Sequence, residues 1–303
     1  MSIKKIIKTL IDLVWKIQVT LVSIGRMLVY SKWVQLPLLS TTKEQRIFVL
    51  VNGPSLNETL EFGVEELKQE EVICVNHMVQ SPYFIQLRPR YYVMIYDGFF
   101  SVKDHSVKEN MELKTLWKLQ QQTTWEMYLI VPTKAKTARI FQDIISKNKN
   151  IKICYINCIE FNGFAWVQNF FRDKQLVSFA CYNVLSASIF SAIVLGYQTI
   201  YILGADHNYH RDLRVDQDNH VIRSDPHFYD TQHDDKILRW ADGRAVTMYE
   251  QMQGLADTLR EYAKIEAYAR KKNVIINNLT PNSSIDVFKK RLLSDVLTKK
   301  QSS

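Results

Sequence analysis

Residues 46–75 read RIFVLVNGPSLNETLEFGVEELKQEEVICV. Two apolar runs, 47–51 and 72–75, lack polar alternation and so predict strands buried on both faces. The stretch 57–69 between them has a helical pattern, and Asn52-Gly53-Pro54-Ser55-Leu56 forms the turn that joins strand to helix. A strand, a helix and a second strand within thirty residues define one unit of a parallel sheet.

The same alternation continues along the chain. Runs at 91–96, 127–131, 151–156, 199–203 and 274–276 predict further strands, with helices near 106–121, 134–147, 183–196 and 246–271. In the last of these, Met248, Met252, Leu255, Leu259 and Tyr262 recur at three- and four-residue steps. The expected fold class is α/β: a doubly wound, mostly parallel Rossmann-like sheet. Residues 206–245 interrupt the rhythm. They are polar, rich in histidine and long for a structureless loop, which predicts a lid or insertion. In such a sheet, ligands bind beyond the carboxyl ends of the strands, so the loops after Val51, Val75, Tyr96 and Leu203 are expected to converge on one crevice.

With 303 residues, 47% of them hydrophobic, the chain can bury a full core. The net charge of +8 is concentrated at the start. Residues 1–32 hold six basic residues against Asp12, a net +5, leaving +3 for the rest. A nucleic-acid binder would spread its basic footprint over the folded domain, so that class is excluded. On a wheel of roughly 100° per residue, Lys4, Lys5, Lys8, Asp12, Lys16, Ser23 and Arg26 share one arc, and isoleucine, leucine and valine fill the remainder. The longest uncharged stretch, 17–25, is too short to span a bilayer, which needs roughly 20 apolar residues. Two readings remain open: a helix lying on a membrane surface, or a helix packed on protein. The expected division is an amphipathic membrane-surface helix with its linker at 1–40 and a catalytic domain at 41–303. Cys74, Cys154, Cys158 and Cys181 are scattered, as expected of reduced cysteines in a cytoplasmic protein on the inner face of the membrane. The Cys154/Cys158 spacing lacks partners for a zinc site, so no metal is expected.

Candidate site residues sit at strand ends. Gly53 lets the backbone pass close to a ligand, and Ser55 with the following helix N-terminus offers donors to phosphate. Asn76 and Asp97 follow the next two strands, in Asn76-His77 and Tyr96-Asp97-Gly98. Asn183 opens a small-residue helix that runs to Leu195-Gly196-Tyr197, and Gly204-Ala205-Asp206-His207 follows the strand at 199–203. Asp206, His207 and His210 raise the question of a divalent ion, and His77, His105 and His220 read as surface or loop residues.

The order of these islands resembles the sialyltransferases of glycosyltransferase family 42 and the wider group of 6-hydroxymethylpterin diphosphokinase MptE-like proteins. The islands are the N-G-P-S-L turn, the asparagine after the second strand, the helix ending in L-G-Y, the strand ending in G-x-D, His227 in Asp225-Pro226-His227-Phe228-Tyr229, and the late Pro281-Asn282-Ser283. Together they span 47–288. The resemblance implies that Asn52, Gly53, Ser55 and Asn76 hold a nucleotide-activated sugar, a CMP-linked acidic sugar in the sialyltransferases, with Asp97, Asn183, Asp206, Asn282 and Ser283 around it. It implies His227 as general base on the acceptor hydroxyl; His233, beside Asp234 and Asp235, is the substitute that the residues themselves suggest. Three departures are visible: Asp97 stands where the sialyltransferases have asparagine, Cys181, Asn183 and Val184 replace their arginine and threonine-serine stretch before the small-residue helix, and Asn208 stands where they have a catalytic tyrosine. Independently of the family, glycosyl transfer needs a base that works near neutral pH, which suits histidine, and donors for the departing phosphate, for which Tyr182, Tyr209 and Tyr229 are candidates. The acceptor is then a surface glycan or glycolipid, and no cofactor is required. The alternatives are a pterin pyrophosphokinase using ATP and magnesium, and a non-catalytic nucleotide-binding adaptor at the membrane. Assembly into a homo-oligomer is left open.

Overall fold

A computed structural model describes residues 2–37, 45–104, 110–223, 236–240 and 242–297. Its strands are β1 (Arg46–Leu50), β2 (Val72–Val75), β3 (Tyr91–Val93), β4 (Met127–Pro132), β5 (Ile151–Ile156), β6 (Thr199–Leu203), β7 (Arg214–Val215), β8 (Val221–Arg223), β9 (Lys236–Ile237), β10 (Ile275–Asn278) and β11 (Lys289–Lys290). Its helices are α1 (Ile3–Tyr30), α2 (Leu56–Leu67), α3 (Tyr83–Leu87), α4 (Gly98–Ser101), α5 (Met111–Gln122), α6 (Arg139–Ile145), α7 (Ala165–Asp173), α8 (Val184–Leu195), α9 (Met248–Lys271) and α10 (Leu293–Leu297).

Eight strands form one sheet in the order β11-β10-β6-β1-β2-β3-β4-β5, with every neighbouring pair parallel. The chain lays down β1 to β5 in one direction and then returns to place β6 on the other side of β1. The switch point of this doubly wound sheet therefore lies between β1 and β6.

Alternate residues of each buried strand feed two cores. Phe48, Leu50, Tyr92 and Leu129 face a layer containing Leu60 of α2, Leu116 of α5 and Phe141 of α6. Ile47, Val49, Ile73 and Ile130 face Leu185 and Ile189 of α8 and Tyr262 and Ile265 of α9. Helix α8 is buried almost all round. Its serines satisfy their hydroxyls locally, Ser188 on the Val184 carbonyl and Ser191 on the Ala187 carbonyl, each at 2.8 Å. That explains how a serine-rich helix packs flat on the sheet.

Several features differ from the sequence expectation, and α7, a nine-residue helix, is among the elements it did not include. β3 stops at Val93 because the chain turns at 94–97 into α4. The single helix expected near 134–147 is broken at Ala138, whose extended backbone separates a 3₁₀ turn from α6. Within 206–245, β7, β8 and β9 form a small antiparallel sheet, with strands too short to carry a readable period.

Helix α1 packs on protein over only part of its length. Thr20, Ser23 and Met27 are its buried residues, and Met27 joins Phe161, Val167 and Val177 in a third small core beside α7. The Thr20 hydroxyl accepts the Phe164 amide at 3.1 Å and the Ser23 hydroxyl accepts the Asn162 amide at 3.0 Å. Residues 2–18 are exposed throughout. No helix among the described residues is long and apolar enough to cross a membrane.

Candidate functional site

The switch point is tightly clasped. The Gly53 amide donates to the Gly204 carbonyl at 2.9 Å, and the Val51 amide to the Leu203 carbonyl at 2.8 Å. A methyl group on Gly53 would lie 2.1 Å from Asp206 Oδ2, and one on Gly204, where φ is +69°, would lie 2.2 Å from the Val51 carbonyl. Both loops thus require glycine. Asp206 Oδ2 accepts the Ser55 hydroxyl at 2.9 Å and, more weakly, the Ser55 amide at 3.4 Å. The donors that the sequence offers to phosphate at the start of α2 are therefore engaged by a carboxylate of the same chain. Burial raises the Asp206 pKa, and the Ser55 bonds act against that rise.

The loop after β10 closes the clasp from the far side. The Ser283 hydroxyl donates to the Ala205 carbonyl at 2.6 Å and accepts the Asn278 amide group at 3.0 Å. The Thr280 hydroxyl accepts the Ala205 amide at 3.0 Å, and the Ser284 amide donates to the Asp206 carbonyl at 2.9 Å. Ser283 is thus a buried strut of the β6 loop. Asn282 is exposed, with a φ of +53°.

The next two strand tips carry asparagines of a different kind. Asn52 is 8% exposed, and its side-chain NH₂ donates to the Val75 carbonyl at 3.3 Å. Asn76 adopts a φ of +44°; its amide donates to the Val93 carbonyl at 3.0 Å and its carbonyl accepts the Tyr92 hydroxyl at 2.6 Å. The side-chain oxygens of both are buried and meet no donor among the described residues. Adjacent strands lie about 4.8 Å apart, so the two amides are neighbours on the carboxyl edge.

Beyond them Asp97 forms an ion pair with Lys134 of the loop after β4. A cavity of about 390 Å³ opens here, lined by Tyr30, Ile95, Asp97, Pro132, Thr133, Lys134, Cys158, Ile159, Ala180 and Cys181. A smaller one of about 190 Å³, with Phe100, Ser101, Thr137 and Ala138, lies on the other side of the pair. Partial burial lowers the Lys134 pKa. The hydrogen bond that the Cys181 thiol gives to Cys158, together with burial, pushes the Cys181 thiol well up.

Under this cavity lies a buried carboxylate that the sequence did not single out. Glu261 of α9 accepts the Cys181 amide at 2.7 Å, the Tyr182 amide at 3.3 Å and the Ser186 hydroxyl. Burial raises its pKa against those three donors. Cys181 has a φ of +55°, and Glu261 holds this turn in place. Asn183 caps α8 by accepting the Ser186 amide at 3.2 Å.

The histidines divide. His207 Nε2 lies 2.6 Å from the Tyr262 hydroxyl, and burial lowers its pKa to about 4, so it is neutral near pH 7. Asp206 is bound to Ser55 and His207 to Tyr262, so the structure does not gather Asp206, His207 and His210 as ligands of one ion. His77 Nδ1 is 2.7 Å from the Thr115 hydroxyl. Asp216, Asp218 and His220 cluster in the β7–β8 turn, where Asp216 Oδ1 accepts the amides of Asp218 at 3.0 Å and His220 at 2.7 Å; these bonds account for the turn. Tyr209 lies under the Arg223 guanidinium, 4.8 Å from the ring centroid, and Tyr182 is exposed. His227, Tyr229, His233 and His105 lie outside the described residues.

The fold and site together define a doubly wound α/β protein with a clasped switch point, two buried asparagine acceptors and a cavity of mixed lining beside the Asp97–Lys134 pair. Among solved structures, the chain is similar to the MAf glycosyltransferase from Magnetospirillum magneticum AMB-1, with 12% identity and a TM-score of 0.47 over 95% of this chain and 41% of that one. The chain thus spans about two-fifths of that protein's length. No protein-family model matches the chain, and no curated protein matches its sequence.

Proposed function

We propose that residues 41–303 form a glycosyltransferase that binds a nucleotide-activated sugar along the carboxyl edge and transfers the sugar to a hydroxyl of a glycan or glycolipid acceptor. The observation that carries this reading is the pair of buried side-chain oxygens on Asn52 and Asn76. A buried acceptor without a donor costs about 1–3 kcal/mol, and the N–H and O–H groups of a base or ribose are the donors that would remove that cost. The cavity at Asp97 and Lys134 begins roughly 10 Å further along the edge, two strand spacings from Asn52, a separation that suits the sugar of the same donor. Asp97 and Lys134 offer that sugar an acceptor and a cation in one place.

His227 is the proposed general base, with Tyr209 and Tyr229 on the departing phosphate, and the donor proposed from the family resemblance is a CMP-linked acidic sugar. The mostly exposed helix α1 is proposed to lie on the cytoplasmic membrane surface, its lysines toward anionic headgroups, which places the enzyme beside lipid-linked acceptors.

A thermal-shift panel of CMP, CDP, UDP, GDP and ATP tests the reading. One nucleotide is expected to raise Tm selectively, and Asn52→Ala and Asn76→Ala are each expected to weaken that nucleotide about tenfold or more. His227→Ala should abolish transfer while leaving nucleotide affinity within about twofold. Nucleotide binding that survives both asparagine substitutions would overturn the proposed site, and activity that requires magnesium and ATP would point to a pyrophosphokinase instead.

A further inference from the structure

Helix α1 does not end in free solvent. The segment after it is pinned: the Ser31 hydroxyl donates to the Leu176 carbonyl at 2.6 Å, the Lys32 amide to Asn157 Oδ1 at 3.0 Å and the Leu36 amide to Gln175 Oε1 at 2.7 Å. Asn157 answers with its own NH₂ on the carbonyls of Lys32, at 2.8 Å, and Gln175, at 2.9 Å. In the middle of this fixed segment Trp33 is 82% exposed. Beside it, α7 packs into the small core it shares with α1 through Val167 and Phe171. One step round the same helix, Trp166 is 71% exposed and Phe170 54% exposed, a pair at i and i+4 on one face. Four large apolar side chains, Tyr30, Trp33, Trp166 and Phe170, are thus held out to solvent at the joint between α1 and the domain.

The helix wheel relates this group to the rest of α1. At roughly 100° per residue, the docking residues Thr20, Ser23 and Met27 lie about 100° away from the stripe Ile3, Leu10, Val14, Ile17, Leu21 and Leu28. All six of those residues are exposed, including Leu21 and Leu28, where the helix lies on the domain. The apolar stripe therefore stays exposed along the full length of α1. The charge around it favours an anionic surface. Lys32 adjoins Trp33 and Lys174 follows α7, while Lys4, Lys5, Lys8, Lys16 and Arg26 are carried along α1. Asp173, the acid at the end of the α7 face, is neutralised by Lys272 at 2.7 Å and by the Tyr268 hydroxyl at 2.8 Å.

We propose that α7 is a second membrane contact: Trp166 and Phe170, together with Trp33, enter the same anionic bilayer surface as α1. This rests on the reading of α1 as a membrane-surface helix and goes beyond it. With α1 docked on the body, contact through the helix alone leaves the body free to roll about the helix axis, whereas a second contact on the body fixes its orientation. Tyr30, at the junction, is also a wall residue of the 390 Å³ cavity. Docking through both elements therefore holds that cavity next to the headgroups, where a lipid-linked saccharide reaches it without leaving the bilayer. Tryptophan at the interface level supplies apolar area and an N–H for the headgroup region, which suits both Trp33 and Trp166.

The test uses the full chain and vesicles of 70% phosphatidylcholine and 30% phosphatidylglycerol, with pure phosphatidylcholine as control, read by co-sedimentation. The wild type is expected to bind the anionic vesicles and to bind the control at least tenfold more weakly. Trp166→Ala/Phe170→Ala is expected to weaken binding about tenfold or more; because Phe170 also packs edge-on against Phe171 at 5.3 Å, Trp166→Ala alone, at a side chain 71% exposed, is the variant expected to weaken binding at unchanged Tm. Ile7→Glu/Leu10→Glu tests the α1 reading separately. If the α7 double variant binds like the wild type while the α1 variant does not bind, the second contact is overturned and the α1 reading stands. Should neither substitution matter, or should the wild type ignore both vesicles, both ideas fall. A dimer on sizing chromatography that the α7 variant dissociates would assign the face to a second copy of the chain and overturn the lipid contact.

Discussion

His207 is a histidine whose surroundings decide its charge. An unfolded histidine titrates near pH 6.5, but burial holds folded His207 neutral down to about pH 4. Between those values the unfolded chain binds more protons, so His207 makes the fold less stable as the pH falls through that window, by up to about 1.4 kcal/mol per pH unit. Above pH 6.5 both states are neutral and the dependence vanishes. His207→Gln is expected to be less stable than the wild type at pH 7 and to recover relative to it as the pH approaches 4. Urea unfolding at several pH values measures this, and a difference that stays constant with pH would show that His207 is not held neutral. Sequence reading placed His207 after a strand and asked whether it binds metal. Its partner Tyr262 was visible only as one residue of a helical stripe 55 positions away. Glu261 was hidden in the same way, because no local pattern announces a carboxylate whose donors come from the start of another helix. Asn52, Gly53, Ser55 and Asp206 were legible because strand-end position alone selects them.

Among the elements, the inner strands β2, β3 and β4 and the apolar runs of β1 and β6 were the most readable, since burial on both faces leaves them almost wholly apolar, whereas the edge strand β5 keeps Lys152 exposed. The two-residue strands β7, β9 and β11 lack such a run, and α3, with five residues, has too few positions to show a helical period. Helix α1 was readable as amphipathic but not as divided, because Thr20 and Ser23 look like ordinary interruptions of an apolar helix. Their role is to receive backbone amides from the 162–164 loop, and Gly163, with a φ of +122°, allows that approach: a Cβ there would lie 2.0 Å from the Thr20 hydroxyl. Thr20→Val keeps the shape and removes the acceptor, leaving the Phe164 amide without its partner. The expected cost is about 1–3 kcal/mol in docking α1. Faster amide hydrogen exchange at 20–30 and at Phe164, with the sheet unchanged, is the readout.

Across the molecule, charge and exposure are separated. The first 32 residues carry +5 of the net +8, and most of them pack on nothing among the described residues. An isolated helix of about sixteen residues is marginal in water, because few local hydrogen bonds offset the cost of nucleation. Residues 4–16 are therefore expected to exchange their amides within the dead time of a manual experiment in solution and to gain protection on anionic vesicles. Residues 20–30 should be protected in both conditions. Equal protection of the two segments without vesicles would mean that the amino-terminal part of α1 packs on protein.

The clasp at the switch point limits how the protein can respond to a ligand. Loops from β1, β6 and β10 are bolted together through Gly53, Asp206, Ser55 and Ser283, with no room for a methyl group between the first two strands. Such a floor cannot hinge. Any adjustment to a guest must come from the opposite wall, where a lysine on a loop and the last turn of α1 meet, and a signal arriving at α1 would be felt there first.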